Sequence, residues 1–178
     1  MRTFMVRRVL ERVSVLFAAA IVALIAGSTG VASAGVAPSG VVKIMNAHSG
    51  LCLSPAGGGT TKNGEIVQFA CDADPSRVWN FTNMGGGIFQ IINVNSGLCL
   101  TVAGGNTERN VVSVQYTCDT DPSRRWRYSE MSDGVTFRLV NVHSGLCLTV
   151  EGGGTERNMR AVQFPCDGDP SRNWKMAK

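Results

Sequence analysis

The chain has 178 residues, with 17 lysines and arginines against 13 acidic residues, and Arg2, Arg7, Arg8, Arg12 and Glu11 all fall near its start. Beyond residue 34 the balance is 13 basic to 12 acidic residues, a net charge of +1. That excludes the clustered positive surface on which nucleic-acid binding depends.

In chain order, the first predicted element is an export signal over residues 1–34. The arginines make a basic start, residues 13–26 form an uncharged apolar run, and Ala32-Ser33-Ala34 supplies a small-x-small cleavage pattern. The run of 14 residues is shorter than the ~20 a membrane-spanning helix needs, so cleavage is expected and no membrane insertion of the mature chain. Arg7-Arg8 also permits a twin-arginine reading, but the flanking residues suit ordinary secretion. A linker, 35–40, would lead into an extracellular mature fold.

Three copies of one unit follow, over residues 41–83, 88–130 and 136–178. Asn46, Asn93 and Asn141 each open the string N-x-[HN]-S-G-L-C-L, and the copies close on CDADPSRVW, CDTDPSRRW and CDGDPSRNW. Each copy predicts four short strands. The first is VKIMN, FQIIN or FRLVN, alternating and ending in a turn residue. The second is LCLSP or LCLTV after a Ser-Gly turn. The third is IVQFAC, SVQYTC or AVQFPC after a polar loop, and the fourth is WNF, WRY or WKM. No helical period is visible.

All six cysteines lie in the copies, an even number that points to disulfides in an exported chain. Cys52 and Cys71, Cys99 and Cys118, and Cys147 and Cys166 are each 19 apart, so pairing within each copy is expected, each bridge adding about 3 kcal/mol by restricting the unfolded chain. One copy of about 43 residues cannot bury a core alone. An open solenoid is one solution. The aromatic strand close to the C-terminus favours the other, a closed threefold ring with Trp79, Trp126 and Trp174 inside. His48 and His143 take one slot in copies one and three, with Asn95 in copy two; single histidines on separate repeats do not converge on a metal. Three near-copies also offer no unlike groups that converge as a nucleophile and base. No catalytic residue, metal or cofactor is therefore expected.

The ordered set S-G-L-C-L, N-G-x-x-V-Q-F-x-C and D-P-S-R-x-W resembles the ricin-type β-trefoil lectins, which also occur as carbohydrate-binding modules of secreted bacterial glycosidases. The resemblance covers nearly the whole mature chain. It implies an all-β trefoil, a six-stranded barrel of about twelve strands in all, capped by three hairpins. It also implies up to three shallow sites for galactosides, xylan-like or other polysaccharides on a monomer. The chain departs from the family pattern in three ways. Ser54, Thr101 and Thr149 stand where the family's sugar-holding Asp follows Cys-Leu. Ser76-Arg77, Ser123-Arg124 and Ser171-Arg172 replace its Asn-Gln. The Val-Gln strand is one residue short.

The resemblance and the residue chemistry together nominate four positions per copy as sugar contacts: Ser54, Gln68, Phe69 and Asp72; Thr101, Gln115, Tyr116 and Asp119; Thr149, Gln163, Phe164 and Asp167. Carboxylates accept paired hydrogen bonds from vicinal hydroxyls, and an aromatic face stacks on a sugar. The second aspartates, Asp74, Asp121 and Asp169, fit turn chemistry instead. The string T-E-R-N, present at residues 107–110 and 155–158 but not in copy one, makes copies two and three the better expected binders. Trefoils also serve as protease inhibitors or accessory subunits, and that alternative stays open on sequence alone.

Overall fold

The computed structural model describes residues 40–178. The predicted signal and most of the linker lie outside these residues. Within them run β1 (Val41–Asn46), β2 (Cys52–Pro55), β3 (Ile66–Phe69), β4 (Val78–Gly85), β5 (Ile88–Asn93), β6 (Cys99–Val102), β7 (Ser113–Tyr116), β8 (Trp126–Glu130), β9 (Phe137–Asn141), β10 (Cys147–Val150), β11 (Ala161–Phe164) and β12 (Trp174–Ala177).

Alternating sequence gives alternating burial where one face meets the core. In β9, Phe137, Leu139 and Asn141 are buried while Arg138 and Val140 are not. These strands close a barrel in the order β1-β4-β5-β8-β9-β12 and back to β1, every pair antiparallel. The Cys-Leu and Val-Gln strands pair separately as the hairpins β2–β3, β6–β7 and β10–β11. The hairpins meet one another through the bridges Glu65–Val114, Val112–Val162 and Val67–Arg160. This is the threefold ring that the repeat predicts and the trefoil that the resemblance implies.

Trp79, Trp126 and Trp174 are completely buried in one core with Leu53, Leu100 and Leu148. Each indole N–H donates to the carbonyl of that leucine in its own repeat, at 2.9–3.0 Å, so burying the ring leaves no polar atom unpaired. The aromatic contacts among the described residues run Phe81–Phe89–Tyr128–Phe137 rather than between indoles.

The disulfides are Cys52–Cys71, Cys99–Cys118 and Cys147–Cys166, one within each repeat. The opening asparagines join neighbouring repeats. Asn93 Nδ2 donates to the Ser76 carbonyl, Asn141 to Ser123 and Asn46 to Ser171, at 2.7–2.8 Å. Their Oδ1 atoms accept the N–H groups of the following turn, including those of His48, Asn95 and His143. The turn therefore uses the main chain at the His/Asn slot in every copy, and in the second the Asn95 amide also donates to the Gly58 carbonyl at 3.1 Å.

Candidate functional site

The string D-P-S-R builds the same corner in every repeat. Proline occupies the first position of a 3-10 turn, where its missing N–H costs nothing, and the preceding aspartate caps the turn. In the second repeat Asp121 Oδ1 accepts from both the N–H and the hydroxyl of Ser123, at 2.8 and 2.7 Å. Arg124 Nη1 lies 2.9 Å from Asp121 and 3.1 Å from Asp119. The Ser123 hydroxyl and N–H, with Arg124 behind them, pull the Asp121 pKa down to about 2. Asp74 and Asp169 are lowered in the same way, chiefly by the Ser76 and Ser171 hydroxyls.

The corner carries its arginine onto the aromatic of the Val-Gln strand. Arg124 sits 4.9 Å from the Tyr116 ring centre, Arg172 4.9 Å from Phe164 and Arg77 4.8 Å from Phe69, within cation–π range. Between corner and hairpin lies a cleft. The second repeat's has a volume of about 300 Å³ and is walled by Thr101, Tyr116, Asp121, Arg124 and Asn63 over a floor of Gly104-Gly105. The third repeat's has about 430 Å³, with Thr149, Phe164, Asp169, Arg172 and Asn110 over Gly152-Gly153. Gly105 takes φ 63°, a left-handed conformation that glycine adopts without strain.

The nominated residues separate into three groups. Tyr116 and Phe164 line the clefts and are half-buried; Phe69 has the same position in β3. Thr101 and Thr149 line the clefts but are almost wholly buried, as is Ser54, and their hydroxyls lie 2.8–3.3 Å from those of Ser123, Ser171 and Ser76. Asp72, Asp119 and Asp167 are exposed, pair with Arg77, Arg124 and Arg172 at 2.8–3.3 Å, and accept the N–H of the capping aspartate.

Gln68, Gln115 and Gln163 are fully buried between repeats. Gln115 Oε1 accepts from the Ser96 hydroxyl at 2.7 Å, and Nε2 donates to the carbonyls of Gly59 and Thr61 in the preceding repeat, at 2.8 and 3.1 Å. Gln163 does the same with Ser144, Asn106 and Glu108, and Gln68 with Ser49, Gly154 and Glu156. Each amide has its hydrogen bonds filled inside the fold.

The T-E-R-N string acts one repeat along from where sequence reasoning put it. Arg109 of the second repeat lies 6.0 Å from Phe164 of the third, Arg157 of the third lies 5.5 Å from Phe69 of the first, and Lys62, in the first repeat's T-T-K-N, lies 5.6 Å from Tyr116 of the second. The cleft residues that sequence reasoning missed, Asn63 and Asn110, belong to these loops. The repeated Asn after a cation was the available signal, but nothing in the sequence says which aromatic it faces.

Known proteins of similar structure share this architecture. The designed threefold-symmetric protein ThreeFoil superposes with a TM-score of 0.76 at 23% identity, over 78% of this chain and 98% of its own. An exo-beta-1,3-galactanase from Clostridium thermocellum gives a TM-score of 0.75 at 26% identity; the match spans 79% of this chain but only 30% of the galactanase. The Macrolepiota procera ricin B-like lectin, whose structure was determined in complex with lactose, gives 0.69 at 16% identity over 80% of this chain and 98% of the lectin. No curated protein shows significant sequence similarity to the chain. The family model of the ricin-type beta-trefoil lectin domain-like proteins matches residues 32–91, 75–164 and 131–178, overlapping segments that follow the three repeats. The chain belongs to that family.

Proposed function

We propose that the protein is a secreted, non-catalytic carbohydrate-binding protein whose sites are the clefts beside Tyr116 and Phe164, with a third beside Phe69. The observation that carries this reading is a half-buried aromatic ring, an anionic aspartate and an arginine brought together around a cleft in successive repeats. A ring face takes the C–H side of a sugar, and the carboxylate accepts from its hydroxyls. Shallow sites of this kind bind weakly one at a time and gain by engaging several residues of one polymer. Of the residues nominated from sequence, Tyr116, Phe164, Phe69, Thr101 and Thr149 stay with the sites. The buried glutamines serve the junctions between repeats, and Asp72, Asp119 and Asp167 hold the arginines. The capping aspartates Asp121 and Asp169 supply the carboxylate that Cys-Leu lacks.

Galactosides are the first ligands to try, since the Macrolepiota lectin was solved with lactose and the Clostridium enzyme acts on galactan; xylan-type oligosaccharides come next. A glycan array with the mature chain tests the reading. Binding that free sugar competes away, and that Tyr116→Ala weakens about tenfold at unchanged melting temperature, is the expected result. A blank array from a correctly folded, oxidised sample overturns it and leaves the trefoil's other use, docking a protein such as a protease.

A further inference from the structure

Resting on the carbohydrate reading, we propose that each cleft is completed by the repeat before it. Asn63 contacts ligand in the Tyr116 cleft, and Asn110 does so in the Phe164 cleft. Both clefts set the amide of an asparagine from one repeat and the carboxylate of an aspartate from the next, Asp121 or Asp169, in the walls beside one aromatic ring.

The backbone explains why a residue with positive φ is needed there, but not why it is asparagine. Asn63, Asn110 and Asn158 have φ 63°, 63° and 67°, and every other left-handed residue among those described is glycine. Glycine is the less strained choice in this region. The protein itself uses the asparagines' main chain: Asn63 N–H donates to the Gln115 carbonyl and Asn110 N–H to that of Gln163, both at 2.8 Å. The same glutamines bind back to those loops through their side chains. The loop is thus clamped against the following repeat while the asparagine side chain stays exposed at the cleft. An amide carried on a clamped main chain, with both donor and acceptor free, is suited to a hydroxyl.

The ligand class follows from the walls. Asp119 and Asp121 offset Arg124 and the Lys62 beside Tyr116, and Asp167 and Asp169 offset Arg172 and the Arg109 beside Phe164, so the charges around each ring balance and do not favour an anion. An uncharged pyranoside fits: one hydroxyl to the asparagine amide, a neighbouring one to the aspartate, the ring against Tyr116 or Phe164. A cleft of about 300 Å³ is at the small end of ligand sites, which suits a terminal sugar.

The test is an NMR titration of the mature protein with lactose, and in parallel with xylotriose, following the amides of Gly104-Gly105 and Gly152-Gly153 as separate reporters of the two clefts. Asn63→Gly keeps the left-handed backbone and removes only the amide. It is expected to weaken binding reported by Gly104-Gly105 about tenfold while Gly152-Gly153 respond as in the wild type. Asn110→Gly is expected to do the reverse, and Asn63→Asp, which keeps an acceptor but loses the donor, to weaken the first cleft with the fold intact. Variants that bind like the wild type overturn the inference and leave the carbohydrate reading standing. So does a loss that appears in the cleft of the asparagine's own repeat. A wild type that shifts with neither sugar overturns both.

Discussion

Asp121 shows how much one side chain is asked to do at the corner. It caps the 3-10 turn, holds Ser123 through two hydrogen bonds and faces Arg124, all as the anion. Its folded pKa, held down to about 2, lies below the ordinary aspartate value of 3.8. Its stabilisation is therefore complete above the unfolded value and is lost as pH falls from about 4 to about 2. Asp74 and Asp169 act in the same direction. The melting temperature should fall steeply across that window, and Asp121→Asn should lower it near neutrality while making the acid fall shallower. An acid profile as steep in the variant as in the wild type would remove Asp121 from this account. The corner was legible in the sequence because its chemistry is local: cap, proline and serine are consecutive. That its first aspartate would serve the arginine was not, since the sugar-site analogy and the ion pair ask for the same residue type.

The strands and disulfides were legible for the same reason, being set by alternation and by a spacing of 19. The hairpins were only half so. A period-2 pattern implies that β3, β7 and β11 turn one face to water, yet three consecutive residues are buried in each. The second face meets another hairpin, and Gln68, Gln115 and Gln163 are what that contact requires. No local signal pairs Gln115 with Gly59 and Thr61, more than fifty residues earlier. Gln115→Ala should cost about 2–4 kcal/mol, from a cavity and from carbonyls and a hydroxyl left without partners. Urea midpoints at an unchanged m-value would measure it. A cost under about 0.5 kcal/mol, the range of ordinary surface substitutions, would mean that the clamp is slack.

For the whole molecule, the repeats form a ring in which every member receives the one before it, the first receiving the third through Gln68 and the Met159 carbonyl. Threefold closure was legible in outline from three copies that bury their tryptophans. The side on which a loop reaches its neighbour was not, because handedness around the ring leaves no trace in a repeat. Ring closure also predicts that the cut in the chain is arbitrary. β1 and β12 pair from Lys43 opposite Ala177 to Asn46 opposite Trp174. A circular permutant of residues 40–178, joined there by a short Gly-Ser linker and opened at the exposed Gly86, should keep three disulfides and melt within a few degrees of the parent. A permutant that stays unfolded when oxidised would show that the order of the strands along the chain matters.

The pairing of β1 with β12 also sets when folding can finish. A chain that emerges amino end first presents β1 before any other strand of the barrel, and β12 after all of them. Until then the barrel lacks a stave, and Gln68 waits for carbonyls some ninety positions downstream. Contacts this distant along the chain form slowly. The nascent domain thus stays open and threadable until β12 has emerged, and it shuts only once that stave can reach β1.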